Sequence, residues 1–252
     1  MMRILILGGT AEALALAQIL SDRPEFAVTS SLAGRVTTPR LPAGAVRIGG
    51  FGGVEGLCAY LRKERIEAVV DATHPFAAII SAHAATACAQ TGIPLLALVR
   101  PDWKAGTADR WIHVASFAEA AARIESLGQR IFLTVGRQEL APFAECREAW
   151  FLIRSIEPPS VPLPPRHEML FARGPFTEAE ETEVLRRYGI EVLVSKSSGG
   201  PATAAKLIAA RRLGLPVVMI DRPPRPVTAQ VASAEAAQAW LSALVTASGA
   251  TD

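Results

Sequence analysis

Short apolar runs alternate along the chain with longer segments that carry apolar residues at helical spacing. The runs predict buried strands, and the segments between them predict helices. The predicted strands are Arg3–Leu7, Phe26–Ser30, Ala45–Ile48, Ala68–Asp71, Pro94–Val99, Arg130–Val135, Ala149–Arg154, Glu168–Ala172, Val192–Ser195 and Pro216–Ile220. The predicted helices include Ala11–Leu20, Val54–Glu64, Phe76–Gln90, Glu178–Tyr188 and Ala202–Arg212. Apolar strands with helices between them indicate an α/β fold with parallel sheets covered on both faces.

Two stretches of the chain resemble each other. Gly92–Pro101 and Gly214–Pro223 each contain a Gly-x-Pro turn, an apolar strand and an Arg-Pro exit. A short strand and a Ser-capped helix follow each stretch, near Val114 and near Val231. The matching order predicts two Rossmann-like lobes with parallel sheets and a ligand cleft between them.

We place the predicted domain boundary between residues 105 and 130. Each short strand, with its Ser-capped helix, could pack on either lobe, so the local pattern does not assign them. The prediction is a dinucleotide-binding lobe over 1–110 and a substrate-binding lobe over 111–252.

Composition limits the classes of function. The chain has 252 residues, half of them apolar, and a formal net charge of +2. This excess of positive charge is too small to indicate a nucleic-acid partner, and no apolar stretch approaches the ~18–20 residues of a membrane span. We therefore expect a soluble cytoplasmic protein with neither partner. Cys58, Cys88 and Cys146 lack the spacing of a zinc site, so we expect reduced, mostly buried thiols and no metal site.

The first predicted strand runs directly into Gly8-Gly9-Thr10 and then into a helix that contains Glu12. Two glycines at a strand-to-helix turn let the backbone approach a ligand, and the helix N-terminus offers N–H groups to a pyrophosphate. The full G-x-G-x-x-G pattern is absent. The turn nevertheless predicts a dinucleotide site that includes Gly8, Gly9, Thr10 and Glu12.

The end of the second predicted strand indicates which dinucleotide is bound. NAD-specific sites place an Asp or Glu there to bind the ribose 2′-hydroxyl. This chain has Ser30, Ser31 and, shortly after them, Arg35. Two hydroxyls and a guanidinium suit a 2′-phosphate, so the expected cofactor is NADPH.

Thr73 and His74 follow the predicted strand Ala68–Asp71. Ligands of open α/β sheets bind beyond the carboxyl ends of the strands, so both residues are expected near the cofactor. His74 is the candidate catalytic residue.

Basic and small polar residues follow several predicted strands of the second lobe. Their positions, beyond the carboxyl ends of strands, suit a ligand that carries several carboxylates. The predicted substrate-binding residues are Arg137, Arg154, Arg173, Lys196, Ser198 and Gly199.

Several segments together resemble precorrin-6A reductases of cobalamin biosynthesis, and the cobalt-precorrin-6A reductases of the anaerobic route are similar. The two most specific segments are Asp71-Ala72-Thr73-His74-Pro75-Phe76-Ala77 and Ser195-Lys196-x-Ser198-Gly199-Gly200. The resemblance extends from the first strand to Arg222-Pro223. One departure is Ser197, where many members have Asp, so no role is assigned to it.

The resemblance implies an NADPH-dependent oxidoreductase acting on a CH–CH bond. Hydride would be added to C19 of the macrocycle and a proton to C18, which gives precorrin-6B. The substrate has a rim of carboxylates, which suits the basic residues already assigned to an anionic ligand. Neighbouring enzymes of the pathway are candidate partners. The resemblance leaves open whether the ring contains cobalt.

Three other classes of protein could use a glycine turn of this kind. Short-chain and epimerase-type oxidoreductases require Tyr-x-x-x-Lys, whereas Glu64 follows Tyr60 and Val192 follows Tyr188 at that spacing. A non-catalytic NADPH-binding sensor and an S-adenosylmethionine-dependent methyltransferase are the alternatives that the glycine turn leaves open.

Overall fold

The structure, a computed structural model, describes residues 1–34 and 40–249, without the side chains of 248 and 249. Its strands are β1 (Met2–Leu7), β2 (Phe26–Leu32), β3 (Ala45–Ile48), β4 (Ala68–Asp71), β5 (Leu95–Leu98), β6 (Arg110–Val114), β7 (Arg130–Leu133), β8 (Trp150–Ser155), β9 (His167–Phe171), β10 (Val192–Lys196), β11 (Pro216–Ile220) and β12 (Ala229–Val231). Its α-helices are α1 (Ala11–Ser21), α2 (Gly53–Lys63), α3 (Ala78–Thr91), α4 (Phe117–Ile124), α5 (Glu178–Arg187), α6 (Ala205–Arg212) and α7 (Ala234–Gly249). Every predicted strand and helix is confirmed, with shifts of up to three residues at its ends.

Within the described residues, the strands form two parallel sheets of six with the same topology. The first sheet has the order β12-β5-β4-β1-β2-β3, and the second has the order β6-β11-β10-β7-β8-β9. In both sheets the chain moves outwards over three strands and then returns to the other side of the first. This reversal is the Rossmann arrangement, and it confirms the predicted α/β class with two Rossmann-like lobes.

The central strands of the first sheet are buried on both faces, and β1 shows what this requires of the sequence. Ile4 and Ile6 pack with α1 and α7 on one face. Leu5 and Leu7 pack with α2 and α3 on the other. Because successive strand residues point to opposite faces, a strand between two helical layers must be apolar at every position.

The second sheet is covered in the same manner. Phe132 and Leu193 pack on one face with Leu185 of α5 and Leu207 of α6. Ala120 and Ile124 of α4 are fully buried. The loops that leave the carboxyl ends of these strands can therefore vary without disturbing the core.

One edge strand of each sheet follows, in sequence, a strand of the other sheet. β6 follows β5 in sequence but pairs with β11, and β12 follows β11 but pairs with β5. Contacts between residues divide the chain into two compact units. Unit 1 consists of Met1–Pro101 together with Pro223–Asp252, and unit 2 consists of Asp102–Arg222.

This division differs from the predicted lobes 1–110 and 111–252. The C-terminal segment from Pro223 onwards belongs to unit 1, because β12 pairs with β5 and the buried residues of α7 pack on the core that contains α1. The sequences of β6 and β12 are too short and too similar for a local pattern to choose between the sheets.

The three cysteines are buried and free, as expected. Burial raises the pKa of Cys88 to about 12 and that of Cys146 to about 11, with nearby Cys58 adding to the first and Glu125 to the second. The thiols of Cys88 and Cys146 are therefore poor nucleophiles. In the described part of the chain, no helix is both long and apolar enough to cross a membrane.

Candidate cofactor and substrate sites

The glycine turn joins β1 to α1, as predicted for a dinucleotide site. Gly9 has φ +106°, and a Cβ atom placed on it would meet no atom within 4 Å. The Thr10 hydroxyl caps α1 by accepting the N–H of Ala13 at 3.1 Å, and it donates to the carbonyl of Ala72 at 2.7 Å. The side chain of Thr10 is thus used within the protein. The open backbone at Gly9 and the first-turn N–H groups of α1 are what the turn offers to a phosphate.

Glu12 forms an ion pair. Arg100, just beyond β5, lies with Nη1 3.3 Å from the Glu12 carboxylate, and both side chains are largely buried. The pair connects the first turn of α1 with the carboxyl end of β5. The sequence did not indicate Arg100 as a partner, because the two residues are 88 positions apart.

At the end of β2, the two serines predicted to bind the 2′-phosphate have different environments. The Ser31 hydroxyl accepts a hydrogen bond from Arg47 Nη1 at 2.8 Å. The Ser30 hydroxyl is enclosed and has no hydrogen-bond partner among the described residues. Arg35, the predicted cation, lies outside the described residues.

Arg47 is a cation at this edge that sequence reasoning missed. It lies on β3, and the parallel register places it beside Ser31. Its guanidinium also donates to the carbonyls of Gly49 and Gly50 and lies 3.8 Å from the centre of the Phe51 ring. The cation is therefore held in place before any ligand binds. Only the β2–β3 pairing, which joins residues 16 positions apart, could have revealed it.

A buried network sets the conformation of the loop after β4. The Asp71 carboxylate accepts the backbone N–H of Thr73 at 3.1 Å and its hydroxyl at 2.6 Å. Arg225 Nη2 lies 2.5 Å from the other carboxylate oxygen and 3.3 Å from the Ser81 hydroxyl. Thr73 is therefore part of the framework of this loop. Arg225 comes from the segment between β11 and β12, and no feature of the sequence pointed to it.

His74 lies in the same loop and is partly exposed. Its Nδ1 accepts the backbone N–H of Phe76 at 3.2 Å. A hydrogen bond accepted at Nδ1 favours the tautomer that carries its proton on Nε2. In that tautomer Nε2 can donate a hydrogen bond to a ligand.

The predicted substrate residues of unit 2 differ in their exposure and in their partners. Arg154 is largely buried, with 9% of its side chain exposed, and forms two hydrogen bonds with Glu181, at 2.8 and 3.0 Å. Arg137 pairs with Glu157 at 2.9 Å, and Lys196 lies 3.8 Å from Glu139.

The remaining three are near the surface or in the loop after β10. Arg173 is exposed. Ser198 donates its N–H to the carbonyl of Lys196, and its own carbonyl accepts from Arg222 at 3.1 Å. Gly199 has φ +69°, a conformation that favours glycine. Backbone hydrogen bonds thus hold the loop, and Arg222, to which the sequence analysis gave no role, donates to the carbonyls of Ser197 and Ser198.

Lys206, in the first turn of α6, was also missed. Its side chain is buried, and burial lowers its pKa to about 7, an effect that Arg154 and Lys196 increase and Glu181 opposes. A lysine within an amphipathic helix ordinarily faces solvent, so the sequence carried no signal of its burial.

Comparisons with known proteins agree with this architecture. A family model described as precorrin-6x reductase CbiJ/CobK matches residues 3–242. A precorrin-6A reductase from Rhodococcus erythropolis is 54% identical over 245 residues, which are 97% of this chain and 99% of the relative. A cobalt-precorrin-6A reductase from Priestia megaterium is 30% identical over 232 residues, which are 87% of this chain and 90% of the relative. A solved structure of CobK precorrin-6A reductase matches with a TM-score of 0.90 and 46% identity, and the match covers 96% of each chain.

The family match runs from β1 into α7 and so includes both sheets, the glycine turn, the His74 loop and the loop after β10. A match of this extent concerns the whole architecture and both predicted sites. The chain therefore belongs to the precorrin-6x reductase family.

Proposed function

We propose that this chain is a precorrin-6A reductase that uses NADPH. The observation that carries the proposal is the family match over residues 3–242, together with 54% identity to a precorrin-6A reductase along nearly the full length of both chains. The relative named for the cobalt-containing precursor is only 30% identical. This difference favours the metal-free macrocycle as the substrate.

Unit 1 is the proposed cofactor-binding unit. Gly8, Gly9 and the first turn of α1 would hold the pyrophosphate. The 2′-phosphate would lie at the end of β2, with Ser31 and Arg47 as ligands. Arg47 supports NADPH over NADH because a fixed guanidinium forms charge-assisted hydrogen bonds with the additional phosphate, which are stronger than a hydrogen bond to a 2′-hydroxyl. Arg35 and Ser30, predicted from the sequence, stay candidate ligands.

Glu12, Thr10 and Thr73 have supporting parts in the proposed cofactor site. Thr10 fixes the start of α1 against the β4 exit, and Thr73 fixes the loop that carries His74. Glu12 holds Arg100 near the same edge. They would position the groups that touch the cofactor.

Unit 2 is the proposed substrate-binding unit. Among the predicted substrate residues, Arg137, Arg173 and Lys196 are cations that are more exposed than Arg154, and Ser198 with Gly199 offers backbone groups. Arg154 has a different role in the proposal, because its guanidinium is already bound to Glu181. A substrate carboxylate would have to displace a buried carboxylate to reach it.

NADPH supplies a hydride when it is bound, and the proposed addition is at C19 with a proton at C18. The macrocycle is conjugated and electron-poor, so positioning the two reactants accounts for much of the required catalysis. His74 would donate a hydrogen bond from Nε2 near the reacting edge. The proton for C18 would come from water or from a group that the substrate brings into contact.

An anaerobic assay tests the proposal. NADPH oxidation is followed at 340 nm with precorrin-6A present and absent, and the product is weighed by mass spectrometry. We expect oxidation only with precorrin-6A, and a product two hydrogens heavier. NADPH binding without turnover would instead indicate a sensor, and binding of S-adenosylmethionine a methyltransferase. Repeating the assay with the cobalt-containing ring and with NADH tests the choice of substrate and cofactor.

A further inference from the structure

Lys206 is the one buried lysine of the described residues, and it is only 6% exposed. It makes no ion pair of 4.0 Å or less, and no side-chain hydrogen bond, with any residue that the structure describes. Burying an ammonium group without a partner is unfavourable, since the group gives up its hydration and gains no anion in return. The position therefore has an unmet demand for a negative charge.

The charged groups around Lys206 do not meet this demand. Glu181 of α5 is nearby, but Arg154 of β8 holds both of its carboxylate oxygens. Lys196 of β10 adds a further positive charge and lies 3.8 Å from the Glu139 carboxylate. Of Arg154, Lys196 and Lys206, it is Lys206 that has no carboxylate within 4.0 Å among the described residues.

The location of the cluster is that of a ligand site. Lys206 is in the first turn of α6, the helix that follows β10, so it lies near the carboxyl end of the second sheet. Arg154 and Lys196 lie near the same ends of their strands. Ligands of open α/β sheets bind at this edge.

We propose that Lys206, with Lys196 beside it, forms a subsite for one carboxylate of the substrate, and that the substrate supplies the counter-ion that the protein lacks. The inference rests on the proposed function, because it takes the ligand to be a polycarboxylate tetrapyrrole. It adds Lys206 as a binding residue, and it predicts that substrate binding is coupled to the uptake of a proton.

The proton linkage follows from the environment of the amine. Burial, Arg154 and Lys196 lower the pKa of Lys206 to about 7, and Glu181 acts in the opposite direction. A carboxylate bound against the amine would favour the charged form and raise the pKa again. Above pH 7 the substrate must then bind together with a proton, so its affinity falls as pH rises. Below pH 7 the amine is already charged, and the affinity levels off.

The test compares K206M and K206R with the wild-type enzyme. Equilibrium binding of precorrin-6A is measured by quenching of tryptophan fluorescence between pH 6 and 9, and KM for NADPH is measured in parallel. At pH 6.5 we expect K206M to weaken precorrin-6A binding by about tenfold to a hundredfold, the loss typical of a charge-assisted hydrogen bond. KM for NADPH should not change. K206R should bind with little dependence on pH, since arginine keeps its charge throughout.

Two controls separate binding from structure. Arg212→Met removes a positive charge from the same helix, where Arg212 is 67% exposed and pairs with Glu178, and it should leave binding unchanged. The urea midpoint of K206M should equal or exceed that of the wild type, because methionine fills a buried site without a charge.

Precorrin-6A binding by K206M at wild-type strength would overturn the inference. A K206M protein that is less stable than the wild type would also overturn it if K206R did not restore the stability, because that result would give Lys206 a structural role. A wild-type protein that binds precorrin-6A but does not reduce it would overturn the proposed function. The subsite would then still be supported if K206M lost the binding.

Discussion

The Arg154–Glu181 ion pair gives a prediction that separates two roles for Arg154. The pair has two hydrogen bonds, and its side chains are 9% and 2% exposed. The guanidinium also lies 4.0 Å from the centre of the Phe176 ring. If the pair is structural, removal of either partner must destabilise unit 2. If Arg154 binds substrate, its removal must mainly weaken substrate binding.

The expected losses of unfolding free energy differ between the two partners. Breaking a buried pair leaves an uncompensated charge, which costs about 3–5 kcal/mol. Arg154→Met leaves Glu181 near Lys206, whose pKa can rise so that it supplies a counter-ion, and we expect a loss of about 3 kcal/mol. Glu181→Gln leaves Arg154 and Lys206 both without an anion, and we expect a loss near 5 kcal/mol. The double variant R154M/E181M should lose less than either single variant, because no buried charge of the pair is left.

Urea unfolding followed by tryptophan fluorescence is a suitable assay. Trp103, Trp111 and Trp150 all belong to unit 2, and Trp240 belongs to unit 1, so the signal reports mainly on unit 2. Arg212→Met, which breaks an exposed pair with Glu178, should lose no more than about 1 kcal/mol. A stable R154M protein with a raised KM for precorrin-6A would refute the structural role. Equal losses for R154M and E181Q would refute the part given to Lys206.

Three further outcomes are expected. Thr10→Val removes the cap of α1 and the bond to the Ala72 carbonyl, and it should lower the stability of unit 1 by about 1–2 kcal/mol in calorimetry, whereas Thr10→Ser should lose much less. Arg47→Ala should weaken NADPH binding about tenfold or more in titration calorimetry and leave NADH binding nearly unchanged; equal losses for both would place Arg47 away from the 2′-phosphate. The pKa of Lys206 is about 7 in the folded chain and 10.5 in its ordinary state, so the unfolded chain binds more protons between these values, and this residue makes unfolding free energy rise with pH. K206M should reduce that slope by up to about 1.4 kcal/mol per pH unit near pH 8–9, and an unchanged slope would contradict the lowered pKa.

Local pattern was enough to predict the elements and the class of the fold. A strand such as β1 that is buried on both faces must be apolar at every position, and a helix on a sheet must repeat its apolar residues every three to four positions. The strand-to-helix turn at Gly8-Gly9 is also a local feature. The repeat of Gly92–Pro101 in Gly214–Pro223 likewise predicted two sheets of one topology.

Tertiary structure alone decided which strands and side chains meet. The exchange of β6 and β12 between the sheets depends on pairings with β11 and β5, far along the chain. The partners of Ser31, Asp71 and Arg154 depend on strand register and on helix packing in the same way. The periodicity of a sequence records whether a position is buried, because burial is a property of each residue in its own element. It does not record which charge lies opposite, so the role of Arg154 and the unpartnered amine of Lys206 could be recognised only in the folded chain.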